Sequence, residues 1–328
     1  MAIPYYHVDV FTDKLFAGNP AGVCILSAFL ADDVMQKIAI ENQHSNTAFV
    51  VSRADGDFDL RWFTPKIEDD LCGHATLASA YVLALRGHSA WPVRFHTRSG
   101  VLTVTKTDRV RTRAVPDGTE STFSLHPGTS VPGFHLPPHS GLRSDGPTLL
   151  PHREPTTDAR SESLLVQDKN EDSFEMDFPT RRGQPCETPA GLLAALGLET
   201  ALVTKSRDYL VVVDHAEQVR TLALDISALA KTDGGIGTIV TAPGDGDVDY
   251  VCRFFAPSIG MDEDPATGSI HCTLAPYWAV RLGKNSLRAR QLSARGGTMQ
   301  CTVIADRGRD RVKIAGRARL YLHGTIEL

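Results

Sequence analysis

The chain has 328 residues, of which 42% are hydrophobic and 22% charged, and its formal net charge is −5. This length is enough for two domains, because single hydrophobic cores stop growing at about 250–300 residues. The mildly acidic balance argues against nucleic acid or an anionic membrane as the main partner, since both bind basic surfaces. We therefore expect a globular protein whose partner is a small molecule.

Signals for membrane insertion, export and metal binding are missing from the sequence. No stretch approaches the roughly 18 apolar residues that a membrane helix needs, and no basic region precedes an apolar run at the N-terminus. The six cysteines are scattered, without a CxxC pair or a Cys/His cluster of metal spacing. We expect a cytoplasmic protein with free thiols and no metal, in which Cys24, Cys252 and Cys301 are small core residues.

The first hundred residues alternate between strand patterns and two helical patterns. Residues 30–42 have helical spacing of their apolar positions, with Asp32 and Asp33 in the first turn, where carboxylates favour the helix dipole. A second helix over 75–85 is apolar on all sides, which predicts burial inside a sheet. The strands predicted here are 5–11, 21–26, 47–52, 58–63, 93–97 and 100–105.

Residues 108–170 have a different composition, rich in Pro, Ser, Thr, His, Gly and Arg, and show no period of either kind. This pattern predicts a disordered insertion, and a mobile lid or linker is one interpretation. The other is a retained intron, because Val110 can be encoded by a codon beginning GT and Gln167 by CAG. Removing the segment would leave a short hairpin loop.

The remainder of the chain is again rich in strand patterns. Residues 173–178 form a clean strand that we expect to pair with 100–105. A short helix over 189–196 ends at Gly197, another helix covers 227–231, and a second apolar helix covers 273–282, including Val280. The further strands predicted are 201–205, 209–214, 237–242, 250–256, 287–294, 299–304, 311–315 and 318–327.

Each apolar helix is preceded by a stretch of acidic residues followed by glycine and a polar residue. The stretches are 68–76 and 261–272, and in the second Pro265 stands at a plausible first helical position. Free backbone N–H groups at a helix start suit an anionic ligand. We therefore expect two halves that face one cleft.

Ordered blocks along nearly the whole chain outside the insertion resemble the phenazine-biosynthesis PhzF-like isomerase family, part of the diaminopimelate-epimerase-like superfamily. The blocks that carry this resemblance are 8–11, 18–23, 41–50, 63–65, 70–78, 97–100, 262–269 and 291–297.

The resemblance implies an α+β fold of two similar domains, each a β-barrel-like sheet around a central helix. The first domain would cover 1–107 and be joined by the C-terminal strand 318–328, the insertion would cover 108–170, and the second domain 171–317. It also implies a homodimer and an isomerase that transfers a proton without a cofactor, on a small unsaturated or amino acid-like substrate of secondary metabolism.

The same resemblance implies roles for residues at both predicted helix starts. His74, Asp264 and Ser269 match positions that act in catalysis, whereas the structural alternative is a helix-start charge for Asp264 and a hydrogen-bonding anchor for His74. The positions expected to bind substrate are Ser45, Cys72, Gly73, Thr267 and Gly268.

Asn46 departs from the family pattern. The family has Ser-Glu-Thr-Ala-Phe at this point, with the Glu as general base, but this chain has Ser-Asn-Thr-Ala-Phe. An amide offers hydrogen bonds only and does not take up a proton near neutral pH. Three interpretations stay open. The role of base has passed to another residue, such as Glu41 or His44, which are close in sequence; or the reaction needs no strong base, as in a pericyclic step. The third is that the protein binds its ligand without turnover.

Cys72 suggests a further role, because the related epimerases use two facing cysteines. The second stretch has no thiol at the matching place, and Cys272 comes one helical turn too late, so two-base racemisation is not expected. Cys72 alone, with a pKa lowered by the helix start, is an alternative base or nucleophile.

Overall fold

A computed structural model describes residues 1–107, 172–232, 237–305 and 310–328. The predicted insertion at 108–170, and with it the choice between a real insertion and a retained intron, lies outside the described residues. The proposed domain boundaries stay a prediction. We call residues 1–107 the first half and residues 172–316 the second half.

The described residues form a mixed structure with long strands and few helices. The helices are α1 (Asp32–Asn42), α2 (Gly73–Leu85), α3 (Leu192–Leu196), α4 (Ala216–Arg220), α5 (Ile226–Leu229) and α6 (His271–Leu282). The strands of the first half are β1 (Ala2–Val10), β2 (Asn19–Leu26), β3 (Asn46–Ser52), β4 (Phe58–Phe63), β5 (Glu68–Asp69), β6 (Val93–Thr97) and β7 (Gly100–Thr107). The later strands are β8 (Ser173–Pro179), β9 (Gln184–Pro185), β10 (Leu202–Lys205), β11 (Tyr209–Val212), β12 (Thr238–Pro243), β13 (Tyr250–Phe255), β14 (Ser286–Gln291), β15 (Gly297–Ile304), β16 (Arg311–Gly316) and β17 (Ala318–Glu327).

The strands of the two halves pair in the same pattern. In the first half β2 pairs parallel with β3 and β4 parallel with β6, while β3–β4 and β6–β7 are antiparallel. In the second half β11–β12 and β13–β14 are parallel, while β12–β13 and β14–β15 are antiparallel. The repeated pattern, with one long helix between the third and fourth strands of each set, is consistent with the predicted α+β fold.

Two pairings connect the ends of this arrangement. β8 pairs with β7 on one side and with β16 on the other, so it joins the two halves, and the predicted pairing of 173–178 with 100–105 is confirmed. β17, the last strand, pairs antiparallel with β1 along its length, from Ala2 opposite Glu327 to Val10 opposite Ala318.

The two long helices are buried largely as their apolar sequences predict. In α2 all residues from Gly73 to Leu83 are buried, and α6 is buried at Trp278, whose indole N–H donates to the Thr241 hydroxyl at 3.0 Å. The prediction for Val280 is wrong, because its side chain is 73% exposed near the C-terminal end of α6.

Short helices account for two further differences from the prediction. α3 begins at Leu192 rather than 189, since Gly191 before it has a φ of 80°, which a helix does not use. α4 was not predicted; five residues are too few to show a period, and a capping box between His215 and Gln218 holds its start.

Three cysteines have the burial that the sequence predicts. Cys24, Cys252 and Cys301 are all fully buried, which confirms them as core residues. The described helices include none that combines the length and apolarity needed to cross a membrane.

Two leucines of α6 give a matched test of this packing. Leu274 is fully buried in the core, whereas Leu282 is 41% exposed. We expect Leu274→Ala to lower the free energy of unfolding by about 2–5 kcal/mol, because it leaves a cavity, and Leu282→Ala to change it by less than about 1 kcal/mol. Urea denaturation measures both, and equal losses would contradict the burial of this face.

Candidate active site

The start of α6 differs from its prediction. The helix begins at His271, not at Pro265, and the residues before it form a loop. In this loop the Asp264 carboxylate accepts a short hydrogen bond from the Thr267 hydroxyl, and the Thr267 amide donates to Gln291 Oε1 at 2.8 Å. Gly268 therefore lies in the turn before the helix, where its carbonyl accepts from the His271 amide at 3.1 Å.

The start of α2 brings its glycine close to that loop. A side chain on Gly73 would meet the Met176 methyl group at 3.7 Å, and one on Gly268 would meet the same methyl at 3.9 Å and the Phe11 ring at 3.0 Å. Both predicted glycines thus lie against one methionine. Phe11 itself has a φ of 63°, a strained backbone for an aromatic residue and typical of functional regions.

Asp264 is held by hydrogen bonds from both halves of the chain. Asn19, at the start of β2, donates from Nδ2 to the Asp264 carboxylate at 2.8 Å and to the Ala266 carbonyl at 2.9 Å. From the second half, Gln291 donates to the Asp264 backbone carbonyl at 2.6 Å and accepts from the Thr267 amide at 2.8 Å. The carboxyl is thereby fixed in position.

Burial changes the acidity of this carboxyl. The Asp264 side chain is 4% exposed, and loss of water is the main cause that raises its pKa from 3.8 to about 6. The hydrogen bonds from Thr267 and Asn19 act in the opposite direction, while the charges of Glu263 and Asp69 raise the pKa further. Asp264 can therefore both release and accept a proton near neutral pH.

Ser45 links the same Asn19 to His74. Its hydroxyl lies 3.0 Å from Asn19 Oδ1, 3.3 Å from the Pro20 carbonyl and 3.1 Å from His74 Nε2. Both oxygens can only accept, so the hydroxyl proton points to one of them and His74 Nε2 must donate to Ser45. His74 Nδ1 is then the acceptor, 3.4 Å from the Cys72 thiol.

The protonation states fit this arrangement. Burial, with a smaller effect from His44, lowers the pKa of His74 to about 3, so the ring is neutral at physiological pH. Burial raises the pKa of Cys72 well above its ordinary value, and the charges of Asp69 and Asp264 add to this. The expectation of a reactive Cys72 thiolate is therefore wrong, since desolvation outweighs the helix start.

Ser269 and Thr267 differ in what they can offer a ligand. Ser269 is partly exposed, and no described residue bonds to its hydroxyl. Thr267 has its hydroxyl committed to Asp264 and its amide to Gln291. The substrate contacts expected of both stay predictions.

Asn46 is bonded to a carboxylate that the sequence did not single out. Its side chain is 5% exposed and donates from Nδ2 to Asp69 Oδ2 at 3.2 Å. Of the neighbours considered from sequence, Glu41 is exposed on α1, and His44 is bonded to the Tyr5 hydroxyl at 2.9 Å. Three consecutive acids at 68–70 were visible in the sequence, but not which of them reaches Asn46.

Comparison with known proteins found a matching family and similar proteins. A model of the family described as phenazine biosynthesis-like protein matches residues 8–132 and 159–324, and the interruption falls within the predicted insertion. An uncharacterized isomerase of Pseudomonas aeruginosa is 43% identical over 329 residues, with 100% of both chains covered.

Solved structures agree as well. A phenazine biosynthesis protein of the PhzF family from Enterococcus faecalis is similar at a TM-score of 0.76 and 35% identity, with 100% of both chains covered. A hydroxyproline epimerase from Agrobacterium vitis, at a TM-score of 0.52 and 12% identity over 100% of this chain and 93% of that one, shares the fold alone. The predicted epimerase-like fold is confirmed, and the chain belongs to the phenazine biosynthesis-like, or PhzF, family.

Proposed function

We propose that this protein is an isomerase that moves a proton between two carbons of a small unsaturated or amino acid-like acid, without a cofactor. The substrate would bind between the start of α2 and the loop before α6. The observation that carries this proposal is the buried Asp264 carboxyl, with a pKa of about 6, held by an amide of the opposite half.

The step conserves atoms and electrons. A C–H bond next to an unsaturated or carboxyl group breaks, a carboxylate takes the proton, and the electron pair spreads into the conjugated system. A protein acid then returns a proton to a different carbon, and the product is an isomer of the substrate. Such a step needs a tuned acid or base and a site that excludes water.

The site residues would divide this work. Asp264 would exchange the proton, because its pKa lies near the working pH. His74, neutral and bonded to Ser45, would keep that hydroxyl in place, and Ser269 would donate to the charge that develops on the substrate. Names of relatives as isomerases support the class of reaction; the homodimer and the cytoplasmic location stay predictions.

Solvent exchange tests this proposal. Vinylglycine and vinylacetate each carry a C–H bond between a carboxylate and a double bond, so we expect the protein to incorporate deuterium into at least one of them in deuterium oxide. Asp264→Asn should slow the incorporation by about 100-fold or more, as for loss of an acid–base group. Mass spectrometry and NMR measure the label.

Asp262, exposed and two residues away, provides the control. Asp262→Asn should keep the parental rate. Turnover to an isomer without deuterium uptake would instead favour a reaction that needs no base. Binding without turnover would favour a protein that has kept the fold and lost catalysis. Either result would overturn proton transfer as the function.

The raised pKa of Asp264 also predicts a pH-dependent cost in stability. Because the pKa is about 6 in the folded protein and 3.8 ordinarily, the protonated carboxyl contributes stability that is fully present below about pH 4 and lost as the pH rises through 6. Asp264→Asn mimics the protonated form, so it should equal the parent at pH 4 and exceed it at pH 7.5 by about 3 kcal/mol. Unfolding by urea at both pH values measures this, and a pH-independent difference would contradict it.

A further inference from the structure

The side chain of Asp69 lies on the same face of the sheet as that of Asn46. Ala48 of β3 is opposite Trp62 of β4, and Trp62 is opposite Asp69 of β5. Directly opposite residues share a face, and residues two apart on a strand share it too. Asn46, two residues before Ala48, therefore points to the same side as Asp69, and their hydrogen bond of 3.2 Å follows from this register.

The two acids beside Asp69 are accounted for elsewhere. Glu68 accepts from Arg61 at 2.7 Å through both oxygens and pairs with Arg98. Asp70 is exposed. Of the 68–70 acids, only Asp69 therefore has its carboxylate beside Asn46.

Asp69 also has the contacts that a base requires. Its carboxylate accepts from Asn46 Nδ2 at 3.2 Å and from the Leu71 amide at 3.3 Å. No ion pair to a cation holds it among the residues that the structure describes. Two neutral, moderately long hydrogen bonds orient the carboxylate, without the bidentate arginine contact that Glu68 makes.

We propose that Asp69 is the catalytic base of this protein and that Asn46 positions it, so that two side chains do together what one carboxylate at position 46 would do alone. This inference rests on the proposed function. In the step, an oxygen of Asp69 forms a bond to the proton as the substrate C–H bond breaks, and the electron pair passes into the conjugated system of the substrate. The Asn46 amide keeps its bond to the other oxygen.

The negative charge of Asp69 also acts on Asp264, in the loop before α6. It contributes to the raised pKa of both Cys72 and Asp264. When Asp69 takes up the substrate proton, this charge disappears, and Asp264 becomes a stronger acid at the moment when a proton must be returned. Removal and return of the proton at two carboxyls are thus coupled through space.

The alternative bases lack this geometry. His44, whose pKa burial lowers to about 4, is bonded to Tyr5 and lies against His7, with ring centroids 4.2 Å apart. Glu41 is exposed. Neither side chain forms a hydrogen bond with that of Asn46 in the described structure.

The test compares Asp69→Asn with Asp70→Asn by deuterium incorporation into vinylglycine and vinylacetate, at pH 5 to 8. The carboxamide oxygen that Asp69→Asn introduces can still accept from Asn46, so this change removes the base and keeps the hydrogen bond. We expect Asp69→Asn to lose about 100-fold or more of the rate across this pH range, and Asp70→Asn to keep the parental rate. The double variant Asn46→Glu/Asp69→Asn should regain exchange, because a carboxylate returns to the same position.

The outcomes distinguish failure of the proposed role of Asp69 from failure of the proposed isomerase function. Exchange by the parent that Asp69→Asn leaves unchanged would overturn the role of Asp69 and leave the isomerase standing. Exchange by Asn46→Glu but not by the parent would also overturn it, since the parent would then lack a working base. A parent without exchange, with no gain in Asn46→Glu, would overturn both. Circular dichroism of each variant confirms that the fold is kept.

Discussion

The site depends on one amide, that of Asn19. It lies at the start of β2 in the first half. Its Nδ2 donates hydrogen bonds to the Asp264 carboxylate and the Ala266 carbonyl, and its Oδ1 can accept one from the Ser45 hydroxyl. Because both partners of Nδ2 are acceptors, the orientation of the amide is fixed. That orientation then determines the direction of the hydrogen bond between Ser45 and His74.

Burial gives this network its chemical character. In water, aspartate would be ionised and histidine would titrate close to neutral pH. Here burial moves both in the direction of the neutral form, since charge is costly away from water. An acid that holds its proton near pH 6 and a histidine that stays neutral suit a reaction in which one proton changes place and no net charge is left behind.

Sequence reasoning reached the fold more completely than the site. The all-apolar character of α2 and the alternation of β17 are local signals, and they located both elements closely. Pro265, a plausible first helical position from the sequence, lies in a loop. The contacts that hold this loop, from Asn19 to Asp264 and from Thr267 to Gln291, join residues far apart in sequence and cannot be seen in residue order. Asp69 was one of three acids in a row, and only its register opposite Trp62 shows that it faces Asn46.

The pairing of β17 with β1 has a consequence for how the sheet folds. β1 has one neighbour, β2, that follows closely in sequence, whereas its other neighbour, β17, is separated from it by almost all of the described residues. Contacts between segments so far apart in sequence form slowly. The sheet that carries Asn19 and Asn46 is therefore completed late in folding, and until β17 pairs, the outer edge of β1 offers unpaired backbone groups to other chains.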